Sequence, residues 1–104
     1  MATGILGQAA LAATTNTVVY TVPAATVTVA TISIVNAGAY PAVVNVAVAS
    51  SGTPTASEYI EYQTVIEVNG VLERSGIVAN ATEAFVVFST TAGVSVTIYG
   101  YEEV

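Results

Sequence analysis

Short runs of alternating apolar and polar residues, broken by turn formers, set the pattern of this chain. Residues 17–22 place Val18, Tyr20 and Val22 on one face, and Pro23-Ala24-Ala25 ends the run. Residues 26–35 carry Val27 and Val29 on one parity and Ile32 and Ile34 on the other. A bulge near Ala30-Thr31 is predicted there, because one extra residue returns both pairs to the same face. After a loop at residues 36–41, residues 43–49 turn Val44, Val46 and Val48 inward and Asn45 outward. Residues 84–89 and 93–101 supply the last two strands, the final one with Val94, Val96 and Ile98 inward and Tyr99 and Tyr101 outward. Tyr20 and Tyr62 fall on apolar faces and are read as core, with the hydroxyl reaching the rim.

Residues 53–58 read as one turn of helix, with Thr53 as N-cap and Pro54 at the first helical position. Beyond it, Ile60, Tyr62, Thr64, Ile66 and Val68 share a face opposite Glu61, Gln63, Val65 and Glu67, the clearest half-exposed strand in the chain. Asn69-Gly70 then signals a hairpin, since both residues tolerate positive φ. A two-residue loop sets Ile66 opposite Glu73. A three-residue loop with Gly70 as a bulge sets Ile66 opposite Leu72 but Thr64 opposite Arg74. Either register brings a charge inward, so residues 72–76 are expected to run along an edge or against a neighbouring molecule.

Residues 1–13, rich in Gly and Ala, read as an N-terminal arm or a first edge segment, and residues 14–104 as a single domain. About seven strands, with turn signals roughly every ten residues, predict an all-β fold: an antiparallel β-sandwich of jelly-roll or Ig-like type. The composition agrees, with 19 Val, 7 Ile and 15 Thr against 3 Leu. β-branched side chains pack well on a pleated surface but lose rotamer freedom in a helix. A chain of 104 residues holds material for one core only.

His, Cys, Asp and Trp are absent. Disulfides, zinc sites built on Cys or His, and Ser-His-Asp or Cys-His nucleophiles are thereby excluded. No metal or cofactor is predicted; an Asp-rich calcium loop is missing as well. Glu58 with Glu61, or Glu102 with Glu103, are candidates for two-carboxylate glycoside hydrolysis, but nothing in the sequence sets either pair at the required ~5–9 Å. They are read as solvated acids, and Asn80-Ala81-Thr82 as a plain turn. The expectation is a protein that is not an enzyme and takes no small-molecule substrate.

The formal charge is −6, with Arg74 the sole basic side chain. Nucleic acid draws its affinity from several Lys and Arg contacts, and an anionic membrane repels such a chain, so neither is an expected partner. No run approaches the ~20 apolar residues that span a bilayer. Residues 5–13 lack the basic lead of a secretory signal. With 8% charged residues and a mean hydropathy of +0.74, part of the surface must be apolar, which predicts assembly with copies of the chain or with another protein.

In order along the chain, Leu6-Gly7-Gln8, Val19-Tyr20-Thr21-Val22-Pro23, Ile34-Val35-Asn36, Glu58-Tyr59-Ile60-Glu61-Tyr62, Asn69-Gly70-Val71-Leu72-Glu73-Arg74 and Tyr99-Gly100-Tyr101-Glu102 resemble a family of small structural proteins of tailed bacteriophages. The resemblance implies a virion component without catalytic activity, either a capsid cement (decoration) protein or a tail-associated one. Where the family carries an Arg before the Ala-Val strand and an Asp after Tyr-Ile-x-Tyr, this chain has Asn45 and Gln63. Capsid cementing is taken first, because the chain is one small domain without fibre repeats. A tail, fibre or baseplate module is the alternative, and a carbohydrate-binding or adhesion module is the alternative of a different class. The expected partners are the major capsid protein, or a tail protein, and further copies of the chain in a homo-oligomer. The expected location is the virion, after synthesis in the host cytoplasm.

Contact roles are assigned to Ile5, Leu6 and Gln8 of the arm and to Leu72, Glu73 and Arg74 of the expected edge. Tyr40, Tyr59, Tyr99 and Tyr101 join them, since tyrosine combines a large ring with a polar tip. Arg74 is the natural ion-pair donor to an acidic subunit, with its own Glu67 or Glu73 as equal alternatives.

Overall fold

The computed structural model describes residues 3–103; residues 1 and 2 of the expected arm, and residue 104, lie outside the described part. The elements in order are β1 Thr3–Ala10, β2 Thr17–Thr21, β3 Val27–Asn36, β4 Ala42–Ala49, a 3-10 turn Ala56–Glu58, β5 Tyr59–Ile66, β6 Val71–Ala79, β7 Ala84–Ser89 and β8 Val94–Glu103. They build two four-stranded antiparallel sheets, β1-β8-β3-β6 (sheet A) and β2-β7-β4-β5 (sheet B). Strand β1 pairs with β8, β2 with β7, β3 with β6 and β4 with β5, which is the jelly-roll order and decides against the Ig-like alternative. Every connection between successive strands except β4–β5 therefore crosses from one sheet to the other.

Alternation fills the space between the sheets. Strand β3 turns Ala30, Ile32 and Ile34 inward, β4 turns Val44 and Val46, and β8 turns Val94, Val96 and Ile98, around Phe85 and Val87 of β7. Medium-sized branched side chains with few rotamers suit such a layer, because interiors must reach crystal-like density. Sheet B also buries part of its outer side. Ala47, Ala49, Ala84 and Val86 form a second small cluster on which Tyr59 packs. The segment leading to Tyr59 is held there by Glu58, whose carboxylate accepts the Thr55 N–H at 2.8 Å and the Ser50 N–H at 3.0 Å. Among the described residues, none covers sheet A in this way.

Several local expectations are corrected. Strand β3 has no bulge: it alternates without interruption against β8, with Thr28 inward and Val27 outward. The extra residue sits in the partner strand β6 near Ser75-Gly76, where Gly76 has φ 72°. Asn69-Gly70 does not form a hairpin. Asn69 has φ 63° in a tight turn closed by Gly70 N–H to Glu67 O at 2.8 Å, and that turn carries the chain from sheet B to sheet A. The inward charge of both hairpin registers thus arises from a pairing that does not occur, while β6 does run along an edge. Tyr62 is not core but 60% exposed, because a bulge at Gln63, with φ 53°, reverses the parity of β5. The 3-10 turn is capped two residues later than expected, at Thr55. Of the two readings of residues 1–13, the edge segment is what residues 3–10 form, paired along β8.

Asn36 ties one end of the sandwich together. Fully buried, it donates from Nδ2 to Tyr40 O at 2.8 Å and Ile66 O at 2.9 Å, and Oδ1 accepts the Gly38 N–H at 3.0 Å. Its backbone N–H and C=O bond to Gly70 and Asn69 of the sheet-crossing turn. Truncating this side chain leaves one buried partner, Ile66 O, and two part-buried ones, Tyr40 O and the Gly38 N–H, without it. Asn36→Ala is therefore predicted to lower the unfolding free energy by about 2–4 kcal/mol. Asn45→Ala, which removes one exposed bond to the Gln63 N–H, is predicted to cost under about 1 kcal/mol. Urea unfolding of the two variants checks the contrast.

Candidate contact face

The outer side of sheet A is a flat, four-strand surface whose rows follow from the strand register. One row runs Ile5, Tyr99, Thr31; the next runs Thr3, Tyr101, Val29, Val78. Val27 continues this apolar end beside Glu103. Gln8, Thr97, Ser33 and Glu73 make a polar stripe across the middle, and Ser95, Val35 and Val71 an apolar row beyond it. Ile5 is 65% and Val78 61% exposed, and Val27, Val35, Val71, Tyr99 and Tyr101 are exposed as well. Among the described residues, Glu73 and Glu103 are the charges on this face, and Tyr99 donates its hydroxyl hydrogen bond to Glu73 at 3.4 Å.

The predicted contact residues divide accordingly. Ile5, Gln8, Glu73, Tyr99 and Tyr101 share the outer face of sheet A. Leu6 and Leu72 turn the other way and pack against the core. Arg74 lies on the inner parity opposite Ile32 and reaches across the open side of the sandwich. It donates to Ile60 O at 2.9 Å and pairs with Glu61, rather than with Glu67 or Glu73. This open side is a groove between β5 and β6 lined by Val48, Ile60, Gly76 and Ile77. The opposite side is closed: a Cβ added at Gly7 of β1 would meet Val19 O of β2 at 2.5 Å. Tyr59 belongs to sheet B, edge-on to Tyr62 with ring centres 5.0 Å apart. Tyr40 stands in the loop after Asn36, 71% exposed and apart from both groups. Val27, Val35, Val71 and Val78 were not expected on the face; uninterrupted alternation through residues 27–35 is the signal that places Val27 and Val35 there.

The acidic pairs do not converge. Glu102 and Glu103 are strand neighbours and point to opposite sides of sheet A. Glu102 is 4% exposed, accepting the Tyr20 hydroxyl and the Thr28 hydroxyl, the latter at 3.0 Å, whereas Glu103 faces solvent. Glu58 is spent on the backbone of its own loop. Those N–H bonds, from Thr55 first and Ser50 second, hold its carboxyl below the usual range. Glu61 accepts Thr64 Oγ1 at 2.9 Å and pairs with Arg74. Each of these four carboxylates thus has a structural engagement or faces solvent, and no two face a shared cleft.

No family model, curated protein or solved structure matches this chain. The face therefore has to be read from its own chemistry.

Burial, reinforced by the hydrogen bond and charge of Glu102, pushes the Tyr20 hydroxyl up from 10.0 to about 12. A group that holds its proton more tightly when folded contributes its full stability below the unfolded value and loses it as pH climbs through the folded one. The melting-temperature difference between the wild type and Tyr20→Phe is accordingly predicted to be flat below pH 10 and to shrink between pH 10 and about 12. Thermal melts across that range check it.

Proposed function

We propose that this chain is a non-enzymatic structural protein of a tailed-phage virion, acting as a cement that bridges subunits of the capsid shell. One observation carries the reading: the two sheets bury a hydrophobic core of their own, and the outer side of sheet A nevertheless presents valine, isoleucine and tyrosine to solvent over several adjacent rows. Contiguous exposed apolar surface rimmed by polar residues marks an interaction site. The resemblance to small phage structural proteins supplies the setting. The jelly roll fits it too, although the same architecture also serves lectins and other folds, so the site and not the fold carries the weight.

The size of the face bears on the mode of binding. Four strands about 4.8 Å apart and five rows about 6.7 Å apart cover roughly 640 Å². A standard stable interface takes ~800 Å² from each partner. A subunit docked on this face alone would hold loosely, whereas a seat between two subunits adds the strand edges and the Tyr40 loop to the contact. Apolar burial at ~25 cal/mol per Å² then works against the outward pressure of packaged DNA. The acidic surface suits a particle exterior, since it avoids nucleic acid and repels like particles.

Particles assembled without this chain are predicted to release their DNA at a lower temperature than complete ones, and purified protein added back is predicted to restore the difference. A dye-release melt of both preparations checks this. Particles that contain no copy of the chain, or that carry it only on the tail by antibody labelling, contradict the cement reading.

A further inference from the structure

We infer that the outer face of sheet A docks a foreign protein surface with an apolar centre and a Lys/Arg rim, and not a second copy of this chain. The inference rests on the virion reading and specifies the partner of the same face. Among the described residues, the charges that sheet A presents on this side, Glu73 two residues into β6 and Glu103 at the apolar end, are both negative. Arg74, the one basic side chain of the sequence, is turned to the opposite side of β6 and engaged with Glu61 and Ile60. A two-fold pairing of identical faces brings each patch against its own kind. Every ionic contact across such a pairing would set acid against acid, and the −6 charge of each chain adds a long-range repulsion.

A basic rim reverses both terms. Glu73 sits within reach of Tyr99, so a Lys or Arg seated there meets a carboxylate beside an aromatic ring, a combination that favours cations. Glu103 offers a second anchor at the other end, next to Val27 and across from Tyr101's row. Between them, Ile5, Tyr99 and Val78 supply apolar area for the centre. Complementary charge of this kind sets partner choice and encounter rate more than final affinity.

The test uses the intact chain and phage shells assembled without it, with binding read by co-sedimentation. Ile5→Ser with Tyr99→Ser is expected to weaken binding about tenfold or more, while Tyr62→Ser, an exposed aromatic on the other sheet, binds as the wild type. Val78→Lys is expected to bind more weakly than Val78→Glu, although both remove the same apolar group. Glu73→Gln with Glu103→Gln is expected to flatten the salt dependence between about 50 and 500 mM NaCl. Circular dichroism melts confirm that each variant is folded, and Val78 substitutions at an exposed position serve where the double variant is not. Face variants that bind like the wild type, or Val78→Glu binding more weakly than Val78→Lys, overturn the inference while leaving the virion reading intact. A dimer of the free chain in sedimentation equilibrium that Ile5→Ser with Tyr99→Ser dissolves also overturns it, by making a second copy the occupant. Wild-type protein that binds neither shells nor tails removes the virion reading and the inference together.

Discussion

A pleated strand has two faces, and a jelly roll has only one interior to offer them. In this chain that constraint is met differently by the two sheets. Sheet B hides alanine and valine on its outer side beneath Tyr59 and the segment that Glu58 pins in place. Sheet A, whose central strands β8 and β3 are its longest, turns valine and tyrosine outward with nothing of the described chain above them. The asymmetry is not a sign of incomplete folding. The accessible surface is 5209 Å², close to the about 5,400 Å² expected of a compact monomer of 10.5 kDa. Sheet B exposes apolar side chains as well, Val18, Tyr62 and Val65, but those of sheet A occupy adjacent rows across four strands.

Polar groups inside the sandwich serve the same division. Asn36 joins the end of β3 to the loop, to β5 and to the turn that crosses between sheets, so the relative placement of the sheets at that end depends on one amide. Near the other end of β3, Glu102 receives Tyr20 from sheet B and Thr28 from its own sheet, again linking the layers through a satisfied buried group. Buried polar networks of this kind fix geometry when every member is paired. Arg74 and Glu61 bridge the open side. The face of sheet A is thus presented by a frame pinned at several places.

Much of this was legible because period-two alternation is a local property. The inward set Val94, Val96, Ile98 and the outward Tyr99 and Tyr101 follow from counting; β6 is an edge as expected, but the charge conflict that suggested it came from a hairpin that does not form. What escaped the sequence was nonlocal. Whether a turn closes a hairpin or crosses to another sheet depends on which strand lies next door, and Asn69-Gly70 suits both. The bulge at Gln63, bonded to Asn45 eighteen residues away, flips Tyr62 outward without a glycine to announce it. Glu102 finds its partners 74 and 82 residues back, so an acid beside another acid looked like solvated surface. Parity in β3 misled for a related reason: burying Thr28 made sense only once the Glu102 carboxylate was there to receive it.

The central claim is that the outer side of sheet A is an interface awaiting a partner within a virus particle. A cryo-EM map of the intact particle at side-chain detail tests it most directly. The account predicts density for this jelly roll on the shell, with Tyr99, Tyr101 and Val78 pressed against a neighbouring protein and Tyr62 in solvent. A map in which the chain sits with that face open to solvent, or does not occur at all, contradicts it.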